Sequence, residues 1–215
     1  MTTIYLIRHG ESTANAAHIC AGSLNAALTK TGRAQAEKVA EYFSDKKLDA
    51  IYSSDSKRAY DTVLPTAEQK SIEITTTPLL RETYNGVWEG MFVSDVIETY
   101  PEEWAYWKEM HGDSKAPMGE TRNESRDRMV SIMSKIAEEN SEKTILIASH
   151  AIAIRSFMGH LFGKSKEEGY LDLPVIKNAA LSIITYENGK FTPVECGISN
   201  YREEIETEVT NVNQA

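Results

Sequence analysis

Short β-rich runs occur at Ile4 to Ile7, Leu48 to Ser53, Ile72 to Thr77, Thr144 to Ala148, Ala180 to Tyr186 and Phe191 to Cys196. In the earlier part of the chain, segments with helical spacing fill most of the gaps between them. Strands alternating with helices select a mainly parallel sheet, which buries both faces under helices. The expected fold class is therefore α/β, a three-layer α/β/α sandwich with a mostly parallel central sheet of about six strands. The turn "YENGK" around Asn188 and Gly189 separates the last two runs, so an antiparallel hairpin should close one edge of the sheet.

The clearest helix spans about Glu120 to Asn140, where Met129, Ile132, Met133 and Ile136 mark one buried face. A second covers about Thr31 to Phe43, with Ala36, Val39, Ala40 and Phe43 inward. "AIAIRSFMGHLFG" makes a third directly after His150, with Gly163 at its end. The stretch from about 85 to 121 is less regular and carries Trp88, Trp104, Tyr106, Trp107 and His111. It reads as a helical excursion over the sheet rather than a separate domain; its aromatic residues either pack as core or line the far wall of a cleft there. The last segment, "YREEIETEVTNVNQA", has little apolar material and reads as an exposed acidic tail over residues 201–215, leaving one domain over residues 1–200.

With 215 residues, 41% of them hydrophobic and 26% charged, the chain can bury a substantial core. A formal charge of −9 argues against a nucleic-acid footprint, so an anionic ligand must be caught by a focused cationic site. The cysteines, Cys20 and Cys196, form no metal-binding spacing, and neither a disulfide framework nor a metal site is expected. No run approaches the roughly 18 apolar residues of a membrane span, and no export signal is evident. The expectation is a cytoplasmic protein without membrane contact; a homodimer is compatible with the sequence.

Two of the strand-like runs end in histidine: "IYLIRHG" brings Arg8 and His9 to the end of one, and "TILIASHA" brings His150 to the end of another. In a parallel sheet the carboxyl ends of the strands share one edge, and ligands bind in the crevice beyond it. "LDAIYSS" is followed by "DSKRAYDTV", which puts Arg58 one or two turns into a helix at the same edge. Glu82 follows Leu79 and Leu80 in "LLRETYNGVWEG". A lone strand-end histidine or helical arginine is commonly structural, and Glu82 could pair with Arg81. Together, however, two histidines and two arginines at one edge would repel one another without an anion among them. Gly10 allows close backbone approach there, and the helix after His150 points amide N–H groups toward an anion.

These segments resemble the histidine phosphatase superfamily, also called phosphoglycerate mutase-like proteins, whose first motif stands here as "RHGESTAN", Arg8 to Asn15. "AGSLNAALTKTGRAQAEKVA", "YSSDSKRAYDT", "LRETYNGVWEG", "PMGET", "ILIASHAIAIR" and "IKNAALSIITYENGK" are similar to its later segments, in order, through nearly the whole chain. The resemblance implies that His9 is the nucleophile, phosphorylated on a ring nitrogen. It further implies that Arg8, Arg58 and His150 surround the phosphoryl oxygens and that Glu82 gives the leaving group its proton. Asn15 and the Ala151 N–H would complete the pocket, and the Ala21-Gly22 backbone would touch the substrate. No cofactor or metal is implied. Asn25 stands where many relatives carry Asp, and Ala151 where Gly, Gln or Asn is frequent.

The expected function is metal-independent hydrolysis of a small phosphomonoester, a phosphorylated metabolite, through a phosphohistidine. The alternatives are a phosphoglycerate mutase and, from another class, an inactive phosphate-binding protein. The chain lacks the Arg-Arg pair and the "HYG" sequence of the mutases, and its Trp-Glu-Gly ending is more like the phosphatase branch. Intact Arg8, His9, Arg58, Glu82 and His150 speak against an inactive scaffold.

Overall fold

The computed structural model describes residues 1–202. In chain order the elements are β1 (Thr2–Arg8), α1 (Thr13–Ala16), α2 (Lys30–Phe43), β2 (Ala50–Ser54), α3 (Lys57–Lys70), β3 (Ile74–Thr77), α4 (Val93–Thr99) and α5 (Pro101–Lys108). They continue with α6 (Arg122–Glu139), β4 (Thr144–Ser149), α7 (Ala151–Leu161), β5 (Leu181–Glu187) and β6 (Lys190–Ile198).

The strands form one six-stranded sheet in the order β3-β2-β4-β1-β5-β6. β3, β2, β4 and β1 are parallel, and β5 runs against β1. β6 pairs antiparallel with β5 to complete the hairpin edge. Asn188 and Gly189 both have positive φ (50° and 78°), as a two-residue primed turn requires.

The unbroken apolar runs are explained by burial on both faces. Ile4, Leu6, Ile145 and Ile147 point to one side, where α6 and α7 cover them with Met129, Met133, Ile154 and Phe157. Ile7, Leu146 and Ala148 point to the other, against Val39 and Phe43 of α2 and Ala59 and Val63 of α3. Successive strand residues alternate between the two cores, so every position must be apolar. These are the three expected layers.

The excursion forms a 3-10 turn at Gly86–Trp88 followed by α4 and α5. It has a small core of its own, in which Trp88, Val96 and Ala116 are fully buried. At the other end, the expected boundary at residue 201 is too early. Tyr201 lies in a 3-10 turn, packs its ring on Tyr42 at a centroid distance of 5.1 Å, and donates its hydroxyl to the Ala179 carbonyl. Residues 203–215 of the expected tail lie outside the described residues. Among the described residues no helix is long and apolar enough to cross a membrane.

Candidate active site

β1 and β4 are neighbours in register, with Arg8 opposite Ser149, so the residues that follow each strand emerge side by side. The His9 and His150 rings are consequently 5.1 Å apart, centroid to centroid, and both are buried. Gly10 turns the chain away from β1 by packing on α2, where a Cβ would stand 2.7 Å from the Gly32 carbonyl oxygen. The Gly10 N–H is met by the Thr62 hydroxyl at 2.9 Å.

The Nδ1 of His9 lies 2.7 Å from the Gly10 carbonyl oxygen, which accepts only if Nδ1 carries the proton. That tautomer leaves the Nε2 lone pair available, and the Arg58 Nε–H donates to it across 3.3 Å. Burial, then Arg58 and Arg8, push the His9 pKa well below its usual value, outweighing the Gly10 hydrogen bond. His9 is therefore a neutral imidazole with a defined nucleophilic edge.

Arg58 is the second residue of α3, nearer the helix start than the sequence spacing suggests. Its Nη1 donates to the Leu24 carbonyl (2.5 Å) and its Nη2 to the Gly22 carbonyl (2.7 Å), so neutral acceptors orient the guanidinium. Arg8 donates from Nη1 to the Ile176 carbonyl at 2.7 Å. The two guanidiniums and His9 share one pocket wall with Asn15, Ala21 and Gly22.

Glu82 lines the same pocket. Its Oε1 accepts from the N–H groups of Thr83 (2.9 Å), Ile152 (3.1 Å) and Ala153 (2.9 Å), and Oε2 accepts from Ile152 (3.2 Å). The N-cap residue of α7, His150, makes no side-chain cap, so this distant carboxylate satisfies the first amides of the helix. Arg81 does not pair with Glu82: it binds Asp55 through two hydrogen bonds of 2.6 and 2.5 Å.

His150 is placed differently from the other expected residues. Its ring meets that of His9 edge to face, and it is not among the residues lining the pocket, with Nε2 2.9 Å from the Ser54 hydroxyl and a buried Nδ1 that has no partner among the described residues. Burial, and then Arg58, His9 and Arg8, hold its pKa well below the usual histidine value. Ala151 and Asn15 do reach the wall. The Asn15 Oδ1 accepts from Ser12 and Asn178, and the Asn178 amide also binds the His9 carbonyl at 3.1 Å.

The pocket encloses about 210 Å³, and Trp88, Trp104 and Trp107 are among the residues that line it. Trp104 and Trp107 stack at 5.1 Å and 19°. Behind Trp107 lies Arg122, fully buried, with its guanidinium 4.5 Å from the ring centroid and burial holding its pKa down to about 10. The three tryptophans thus meet both alternatives, packing as a small core and lining the pocket, while Tyr106 and His111 do not line it. Those two stack on each other at 4.9 Å outside the pocket, where the Tyr106 hydroxyl donates to Asp113.

Thr62, Ser54 and Asn178 are polar supports that the sequence did not point to. Thr62 lies one helical turn beyond Arg58 and Ser54 at a strand end, which are weak signals; Asn178 reaches the site only through the antiparallel pairing of β5 with β1. A neutral imidazole whose Nε2 is unprotonated, two arginines and a carboxylate lining a small cavity can carry a tetrahedral oxyanion through nucleophilic displacement.

A family model described as the histidine phosphatase superfamily (branch 1) matches residues 4–199. Phosphoserine phosphatase 1 of Hydrogenobacter thermophilus is 32% identical over 163 residues, covering 76% of this chain and 77% of the relative. A probable phosphoglycerate mutase, GpmB of Serratia proteamaculans, is 31% identical over 166 residues, 76% of each chain. The solved structure of Bacillus stearothermophilus YhfR superposes with a TM-score of 0.88 at 25% identity, over 94% of this chain and 99% of that one. By motif order, fold and sequence, this chain belongs to the histidine phosphatase superfamily.

Proposed function

We infer that the protein is a phosphatase that hydrolyses small phosphomonoesters through a phosphohistidine on Nε2 of His9. The single observation that carries this reading is the His9 geometry: Nδ1 is committed to the Gly10 carbonyl, and Nε2 faces the pocket beside Arg58.

In this reading the phosphoryl group enters with its oxygens on Arg8, Arg58, the Asn15 amide and the Ala151 N–H. His9 Nε2 attacks phosphorus in line, and the P–O bond to the leaving alcohol breaks as Glu82 protonates that oxygen. The ionised Glu82 then takes a proton from water as the water oxygen attacks phosphorus. The P–N bond breaks, releasing phosphate and restoring both His9 and Glu82. Splitting the displacement lowers each barrier, and the guanidiniums meet charge on the equatorial oxygens. His150, whose ring meets that of His9 edge to face at 5.1 Å, helps hold the nucleophile's ring in place.

Phosphatase is favoured over mutase because Arg8 and Arg58 are the cationic side chains on the pocket wall among the described residues. Both are used by the phosphoryl group, whereas a mutase must also grip a substrate carboxylate. The leaving alcohol instead meets the tryptophan wall.

Incubation with p-nitrophenyl phosphate tests this function. Vanadate-inhibited release of nitrophenol, with an acid-labile phosphoryl group trapped on His9, is expected. Conversion of 3-phosphoglycerate to its 2-isomer faster than phosphate release would favour the mutase.

A further inference from the structure

We propose that Glu89 is a positioning residue for Arg58, acting through the loop at residues 21–25. This rests on the phosphatase reading, in which Arg58 holds the transferring phosphoryl group.

Arg58 forms no ion pair within salt-bridge distance among the described residues; the Gly22 and Leu24 carbonyls orient it. Its hydrogen-bond acceptors are neutral, while the Glu82 and Glu89 carboxylates lie near enough to act on its charge, so its placement is only as good as that of the loop. Ser23 lies between the two carbonyls, and Glu89 fixes it. Oε1 accepts the Ser23 N–H at 2.8 Å, and Oε2 accepts the Ser23 hydroxyl at 2.5 Å. Oε1 also accepts the Asn85 N–H at 3.3 Å, which ties the carboxylate to the excursion.

The loop is built around that carboxylate. Gly22 has φ +44°, and a Cβ there would stand 1.9 Å from the Glu89 Oε1. On one side the chain is zipped to the Glu89 segment, Gly90 N–H to the Cys20 carbonyl and Cys20 N–H to the Met91 carbonyl, both at 3.0 Å. On the other, the Asn25 Oδ1 accepts the N–H of Lys57, the residue before Arg58. The loop therefore spans from Glu89 to the start of the helix that carries the arginine.

Loosening the loop should weaken Arg58 contacts in the bound and transition states alike, so KM and inhibitor affinity should move more than kcat. In Glu89→Ala, calorimetry should find orthovanadate and inorganic phosphate bound about 10-fold more weakly. KM for p-nitrophenyl phosphate should rise in parallel, with kcat within about 3-fold of wild type. Glu89→Gln, which keeps one oxygen acceptor, should fall between. Ser23→Ala should weaken binding less than Glu89→Ala, and the double variant should bind no worse than Glu89→Ala alone.

If Glu89→Ala fails to fold, Glu89→Gln and Ser23→Ala give the same reading through binding. Unchanged vanadate affinity and KM in the folded variants, or a change confined to Tm, would overturn the positioning role alone. A wild-type protein that neither binds vanadate nor releases phosphate would overturn the site reading and this inference together.

Discussion

The Nε–H of Arg58 rests on Nε2 of His9, 3.3 Å away, so the unliganded protein keeps its nucleophilic lone pair under a guanidinium. On the phosphohistidine reading, a phosphoryl oxygen that took Arg58 as its partner would free that lone pair as phosphorus arrived beside it. Binding and activation of the nucleophile would then be the same event.

Arg58→Lys should therefore be far from conservative. Lysine keeps a charge but cannot hold the Gly22 and Leu24 carbonyls and the phosphoryl group together through a planar fork. A fall in kcat/KM of about 10²- to 10³-fold is expected, as when a preorganised oxyanion donor is removed. A lysine variant within about 10-fold of wild type would show that charge alone suffices.

His9 and His150 give the protein a predictable acid sensitivity. Burial first, and Arg58 next, depress both native pKa values, while the unfolded chain returns to about 6.5. Below that pH the unfolded chain binds more protons than the native one, so stability rises with pH. The contribution is fully present above about pH 6.5 and is lost as pH falls from there toward the native values. Tm should decline between about pH 7 and 5, and NMR should find the His9 ring still neutral near 6.5. A titration midpoint for His9 close to 6.5 would contradict the geometry.

The two strand-end histidines were legible in the sequence because strands buried on both faces are written as unbroken apolar runs, and Arg8, His9 and His150 interrupt that writing at the carboxyl ends. Glu82 was legible as an acid, but not as the cap of α7, which depends on a fold that brings residues 82 and 152 together. Asn178 was invisible for a similar reason: β5 runs against β1, and only that pairing returns the chain to the His9 carbonyl. Tyr201 was lost because the acidic segment after it dominates the composition, although its own ring packs on Tyr42.

The tryptophan wall is both core and pocket, and its removal should register in both. Trp107→Ala should cost about 1–3 kcal/mol in urea denaturation, below the range for a fully buried tryptophan because Trp107 is half-buried. The same change unstacks Trp104 and removes the ring over Arg122. KM should rise more for aryl than for short alkyl phosphates, since only the former can lie against the wall. Equal changes for both substrates would remove the wall from leaving-group recognition.

Glu82→Gln separates protonation of the leaving group from every other part of the site. Glutamine is close to isosteric, and its carbonyl oxygen can still accept the Thr83, Ile152 and Ala153 amides that hold Glu82. The cap of α7 and the phosphoryl site should therefore remain, but no proton can be given to an alkoxide. Alkyl phosphates, whose leaving groups need that proton, should lose about 10²- to 10⁴-fold in kcat, the usual contribution of a general acid. p-Nitrophenyl phosphate expels a stable anion and should lose much less in the first step, so the phosphohistidine should accumulate and nitrophenol should appear in a burst before slow hydrolysis. Undiminished turnover of both substrates would remove Glu82 from the chemistry and leave it as the helix cap alone.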